Sequence, residues 1–383
     1  MRPKSSKNLN VKSNTTEKMG KPSFEDENYL LSMRKRTTFL NHIHWDGSIP
    51  AESLWDFYQS KGEKIFLPEQ YIGGTAVRSR EVRSIAELRE FQTGLFSKYD
   101  IVSVFAVPVG AMQTAEDLKS MARAHCAYLK SQGTVYAESR FAPWYHTQQG
   151  LSMDKVIGYA LEGFAQGEEE AGVRVRPIVC INREVDPAEA KKIVQAALHF
   201  AERGVVGIDL ACYEPPFPAE RFREAYALTF DSPLKRTVHA DEMCSEEEGI
   251  RNVHTALTLL RADGIGHGVH LYKHPEIVEL MLKNNVRLES SPISNLTCSF
   301  INDIADLHLD ELVKSAITVT INSDDPAMWE NGDLAHNLYA LGKLYGDEFV
   351  ATVLKNSIET AWGLSELEKR HYLTTIDSAQ FQQ

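Results

Sequence analysis

The amino-acid sequence predicts an α/β fold: a closed (β/α)8 barrel with a helical insertion after the first strand. Eight short apolar runs recur along the chain, separated by longer stretches with the 3.6-residue spacing of amphipathic helices. Alternation of this kind builds a parallel sheet, and eight repeats favour closing it. Polar residues, histidine and aspartate above all, collect where the runs end. No glycine-rich phosphate loop follows the first run, which weighs against an open doubly wound sheet.

Taken in order, residues 1–36 are rich in Lys, Ser, Asn and Thr and lack apolar periodicity, so they read as a flexible tail ahead of one barrel domain spanning 37–383. The strand-like runs cover 38–44, 134–141, 174–181, 205–211, 235–239, 264–267, 286–290 and 318–323. Helical spacing covers 114–130, 153–170, 187–203, 245–261 and 275–284. The first crossover, 49–132, is much longer than the others and holds more than one helical stretch. Extra chain after strand one lands above the carboxyl face of a barrel, where it can act as a lid. Phe91, Leu95, Phe96 and Tyr99 are candidates for its apolar, substrate-facing underside, although the same spacing fits a buried helix stripe.

At 383 residues, 43% hydrophobic and 25% charged, the chain can bury a large core without covalent staples. A formal net charge of -12 argues against a nucleic-acid or anionic-membrane partner, since both favour a basic face, and points to a small neutral or weakly charged substrate. Five cysteines, odd in number and without a CxxC pair, read as free thiols in a reducing compartment, and the N-terminus has no secretory apolar segment, so the expected location is cytoplasmic.

The chemistry gathers at the ends of the runs. His42 and His44 are two residues apart on the first strand, so both imidazoles face the same side. His239 ends the fifth run, His267 the sixth, and Asp324 with Asp325 the eighth. On a barrel all point to one rim. His42, His44, His239 and Asp324 are then expected to hold one zinc ion per chain, with a water completing the shell. Glu242, three residues past His239, leans over the pocket as a proton carrier without being a ligand, and His267 orients or deprotonates the water. Asp325 faces the substrate while Asp324 faces the metal. A His-x-His pair or an Asp-Asp-Pro turn alone is weak; their joint placement at strand ends carries the reading.

Seven segments resemble the successive motifs of adenosine deaminases: His-Ile-His-Trp-Asp-Gly-Ser (42–48), Tyr-Ala-Glu-Ser-Arg-Phe-Ala-Pro (136–143), Val-Val-Gly-Ile-Asp-Leu-Ala (205–211), Thr-Val-His-Ala-Asp-Glu (237–242), Gly-His-Gly (266–268), Ser-Pro-Ile-Ser-Asn (291–295) and Asn-Ser-Asp-Asp-Pro (322–326). The resemblance spans about 37–365 and implies a TIM barrel with a single zinc. By it, Glu242 protonates purine N1, His267 positions the attacking hydroxide, Asp325 bonds N7 and Asp46 meets the ribose 5′-hydroxyl. The implied enzyme is a hydrolase acting on a cyclic amidine C–N bond, converting adenosine or 2′-deoxyadenosine to inosine or 2′-deoxyinosine plus ammonia. Asp241 and Cys212 stand where the family usually has glycine beside the purine. Their side chains are expected to narrow the pocket, move the contact to N3 or add an acceptor that selects another purine.

Three alternatives are adenine or a modified adenine nucleoside as substrate, an inactive ligand-binding barrel, and a binuclear amidohydrolase. The last usually bridges its metals through a lysine ending strand four, and the run 205–211 contains none. Asp46 favours a nucleoside over a free base, and the absence of a Lys or Arg cluster within the ligand motifs disfavours a nucleotide.

Overall fold

The computed structural model of the chain describes residues 22–67, 70–72, 75–77, 79–94 and 101–380. Eight parallel strands lie side by side in chain order: β1 (Thr38–His44), β2 (Thr134–Phe141), β3 (Arg174–Asn182), β4 (Gly207–Ala211), β5 (Lys235–Ala240), β6 (Gly264–His267), β7 (Arg287–Ser290) and β8 (Val319–Ile321). The last meets the first. Ile43 bridges to Asp324 in parallel register, and the His44 N–H donates to the Asp324 carbonyl at 2.9 Å, closing the barrel at its carboxyl rim. Both faces of these strands are covered, as their near-continuous apolar runs require.

Helices Ala115–Ser131, Met153–Ala171, Pro187–His199, Glu246–Thr258 and Pro275–Asn284 contribute to the outer ring. Several start on side-chain caps: Thr114, Ser152 and Ser245 accept the N–H groups of Asp117, Lys155 and Glu248. Helix Ala115–Ser131 packs against β2 and helix Met153–Ala171, so it is part of the ring. The extra chain after β1 is therefore shorter than 49–132. It comprises helix Ala51–Ser60, two short antiparallel ribbons, and helices Ile85–Gln92 and Ile101–Gly110.

Two expectations change here. Within the expected tail, residues Glu27–Arg34 form a helix docked on helix Leu334–Tyr345. Met33 is buried, the Tyr29 hydroxyl donates to Asp347 at 2.6 Å, and Lys343 pairs with Asp26 at 2.6 Å. Eight residues with one buried apolar anchor leave too short a pattern for periodicity to reveal. Phe91 sits in the hydrophobic core, fully buried, and does not line the cavity described below. Leu95, Phe96 and Tyr99 lie outside the described residues. Among the described residues no helix is long and apolar enough to cross a membrane, and the five cysteines are free thiols.

Candidate active site

One donor atom from each of His42, His44, His239 and Asp324 lies within 4.8 Å of the others. The Nε2 atoms of His42 and His44 are 3.1 and 3.4 Å from Asp324 Oδ1, and His44 Nε2 is 3.1 Å from His239 Nε2. Gly266 on β6 leaves room for this packing, because a Cβ there would come within 3.1 Å of His42 Cε1. Burial holds His44 well below the ordinary histidine range and brings His239 down to about 4. Both rings are thus neutral at neutral pH, the state in which imidazole binds a metal. Three nitrogens and one carboxylate oxygen converging in this way form a metal-binding site.

The outer sides of the ligands are held by carboxylates inside the barrel. His42 Nδ1 faces Glu289 Oε2 at 3.2 Å and His239 Nδ1 faces Asp209 Oδ2 at 2.9 Å, directing both Nε2 atoms inward. Asp324 Oδ2 accepts from Ser294 Oγ at 2.7 Å. The Asn322 side-chain oxygen accepts the backbone N–H groups of Asn41 and His42, each at 2.9 Å. Arg140, wholly buried, donates to Asp209, Glu289 and the Asn41 carbonyl, each at 2.8 Å. Arg287 holds the other Glu289 oxygen at 2.8 Å and Glu138 at 2.5 Å. Arg140→Met is expected to cost about 3–5 kcal/mol in urea unfolding, because it strands Asp209 and part of Glu289 as buried charges. A loss below about 1 kcal/mol would show that the network relaxes around the missing guanidinium.

Beside the metal ligands, Glu242 Oε1 lies 3.5 Å from His267 Nε2. Burial raises the Glu242 carboxyl to about 7, more than the opposing pull of His267 lowers it. Against its own burial, His267 is held above the usual range by the Glu242 and Asp324 carboxylates, and its Nδ1 bonds Asn295 Oδ1 at 2.8 Å. Above this floor lies a cavity of about 400 Å³. His44, His239, Asp324, Glu242, Asp325 and Asp46 contribute its polar lining, and Phe105, Val109, Trp144, Tyr145, Tyr213, Cys180 and Cys212 much of its walls. Asp325 Oδ1 is buried without a hydrogen-bond partner among the described residues. Its carboxylate is seated against Gly47, where a Cβ would overlap it at 1.6 Å. Burial, then the adjacent Asp324 charge, pushes Asp325 well above the ordinary carboxyl range; burial alone takes Asp46 up to about 6.

With fold and site in view, residues 38–379 match the family model described as adenosine deaminase. The chain belongs to the adenosine deaminase family. An adenosine deaminase from Clostridium acetobutylicum is 30% identical over 330 residues, covering 85% of this chain and 93% of its own. Among solved structures, an adenine deaminase from Arthrobacter aurescens superposes with a TM-score of 0.74 at 23% identity, covering 90% of this chain and 98% of its own. The apo N6-methyl-AMP deaminase from Arabidopsis thaliana superposes with a TM-score of 0.74 at 18% identity, covering 91% and 98%. The chain is a hydrolytic deaminase of purines built on the (β/α)8 barrel, with a metal site at its rim.

Measured against the adenosine deaminase pattern, the two replaced glycines have different fates. Both Cys212 (φ 76°) and Asp241 (φ 61°) occupy the left-handed region that glycine enters freely. Cys212 lines the cavity. Asp241 does not: its carboxylate is fully buried and turns away to accept the His270 N–H at 2.6 Å and to bond His270 Nδ1 at 2.7 Å. The backbone turn after β5 sends the side chain behind the loop, so it does not narrow the cavity.

Residues that the sequence reading left without roles also build the site: Asp209, Glu289, Arg140 and Asn295. The available signal was charge inside strands. Glu138, Arg140, Asp209, Arg287 and Glu289 interrupt runs otherwise apolar enough to be wholly buried, and charges there must pair with one another or with a ligand set.

Proposed function

We propose that this deaminase acts on adenosine and 2′-deoxyadenosine with one zinc ion per chain, releasing inosine or 2′-deoxyinosine and ammonia. The observation that carries the proposal is the four-donor cluster lying beside the Glu242–His267 pair at the floor of one cavity. Neutral imidazoles with one carboxylate are a donor set that zinc favours. Zinc bound there supplies the Lewis acidity that makes water nucleophilic near neutral pH. Glu242, whose acid form is populated below about 7, donates its proton to N1 as the water oxygen adds to C6. With Glu242 in its acid form and the Asp324 charge taken up by a bound metal, the two carboxylates would no longer hold His267 above its ordinary range, and its Nε2 receives the proton that the water gives up. The tetrahedral carbon then expels its amino group, which takes the proton held by His267 and leaves as ammonia, while the C6 hydroxyl gives its proton back to Glu242 and becomes the carbonyl. Asp325, favoured in its protonated form, donates from its free oxygen to N7. Asp46 on the cavity wall accepts the 5′-hydroxyl.

Among the described residues, the cavity lining includes Asp46 and Glu184 and no Lys or Arg, which favours a nucleoside over a 5′-phosphorylated substrate. A modified adenine nucleoside is the second reading, favoured by the Cys212 thiol in the wall. A panel of adenosine, 2′-deoxyadenosine, adenine, 5′-methylthioadenosine and AMP, followed by ultraviolet absorbance and ammonia release, tests both. Turnover led by adenosine is expected; a panel without turnover sinks the proposal. Asp46→Ala is expected to lower kcat/KM for adenosine about 10- to 100-fold, the loss of one hydrogen bond to a charged group, and to leave adenine within about 3-fold. Equal losses for nucleoside and base would remove Asp46 from the ribose.

A further inference from the structure

Glu214 lies three residues past β4 and is 1% exposed, a buried carboxylate that the reaction above does not use. Its Oε1 accepts the Asp241 N–H at 2.9 Å and the Asn252 side-chain amide at 2.8 Å, and its Oε2 accepts the Glu242 N–H at 3.1 Å. Burial, then the Glu214 carboxylate, holds the nearby Cys244 thiol above its ordinary range. Asp241 is in the left-handed conformation, and with that turn two successive N–H groups converge on one anion, a backbone nest closed by a carboxylate of the protein itself. Charge-assisted bonds of this kind are about twice as strong as neutral ones.

The segment held this way joins the metal ligand His239 to Glu242. Its other contacts brace it from different sides. Arg183 donates to the His239 carbonyl at 2.6 Å, and the Asp241 carboxylate grips the backbone and ring of His270. Glu214 adds a brace on Glu242 itself, accepting the amide of that very residue.

We propose that Glu214 is a positioning residue for the deamination: by binding the amides of Asp241 and Glu242 it fixes the Glu242 carboxyl over the cavity floor, within reach of purine N1. This rests on the reading of Glu242 as the proton donor. A general acid works only from a narrow range of positions, and a displacement of about 1 Å can cost 10²-fold in rate.

The test is a double-mutant cycle on the full-length, zinc-loaded protein with adenosine. Glu214→Gln keeps the side chain's shape and removes its charge. It is expected to lower kcat about 10- to 100-fold with KM within about 3-fold, one zinc per chain retained, and faster amide exchange at 241–242. In a Glu242→Gln background the same change is expected to cost less than about 2-fold, because the carboxyl it positions is gone. An unchanged kcat, an equal loss in both backgrounds, or loss of zinc would overturn the proposal. If Glu214→Gln does not fold, Glu214→Asp, which keeps the charge one methylene short, is held to the same criteria. Full activity of Glu242→Gln alone would instead overturn the proton-donor reading beneath it.

Discussion

Glu242→Gln is expected to lower kcat by about 10²- to 10⁴-fold, the usual contribution of a positioned general acid, while the protein keeps one zinc per chain. The glutamine amide matches the carboxyl in size and can still hydrogen-bond a ring nitrogen, so KM should move little. It has no acid proton to give. The zinc measurement is as informative as the rate. Glu242, His267 and Asp324 also lie close enough together to form a metal-binding triad. The two clusters share Asp324 and differ in everything else. Retained zinc with lost turnover assigns the metal to His42, His44, His239 and Asp324 and the proton to Glu242. Lost zinc would place the ion on the other triad and undo the assignment of Glu242 as the acid; retained turnover would remove it from the chemistry.

His239→Ala is expected to abolish zinc binding at micromolar metal and to reduce turnover to background. His239 is one of three imidazoles in the four-donor set, and its Nδ1 is tied to Asp209, which is tied in turn to Arg140. Changes to residues behind metal ligands typically cost about 10- to 100-fold in affinity, and loss of a ligand should cost more. Chelation of the unmutated protein should reproduce the inactivity, with recovery on adding one equivalent of zinc. Elemental analysis near one metal per chain is expected; two would revive the binuclear reading that the missing β4 lysine argues against. Full turnover after complete metal removal would contradict the metal-dependent mechanism.

The barrel was legible because its strands are buried on both faces. A run such as 205–211 is mostly apolar for that reason, and the observed strands match the expected runs to within a few residues. The candidate ligands were legible for a related reason. Histidines and aspartates ending apolar runs have no role in packing, and parallel strands in a barrel bring all such ends to one rim. The docked helix Glu27–Arg34 was not legible, because its stability comes from Tyr29 and Asp26 meeting residues more than 300 positions away and from Met33 entering the core.

Asp241 marks the boundary between the two kinds of knowledge. Its place in the chain, next to Glu242 and where the family usually has glycine, made it a candidate wall of the purine pocket. Its backbone turns left-handed, and the carboxylate leaves the pocket for His270. The amino-acid order alone determined the eight-fold alternation, the rim on which the chemistry gathers and the identity of the converging side chains, because periodicity and strand polarity are local properties. Only the tertiary structure decided which neighbouring carboxylate faces the cavity, which supports the loop and which carries the counter-charge behind the ligands. Those outcomes depend on single backbone dihedrals and on pairings between strands distant in sequence, which no pattern along the chain records.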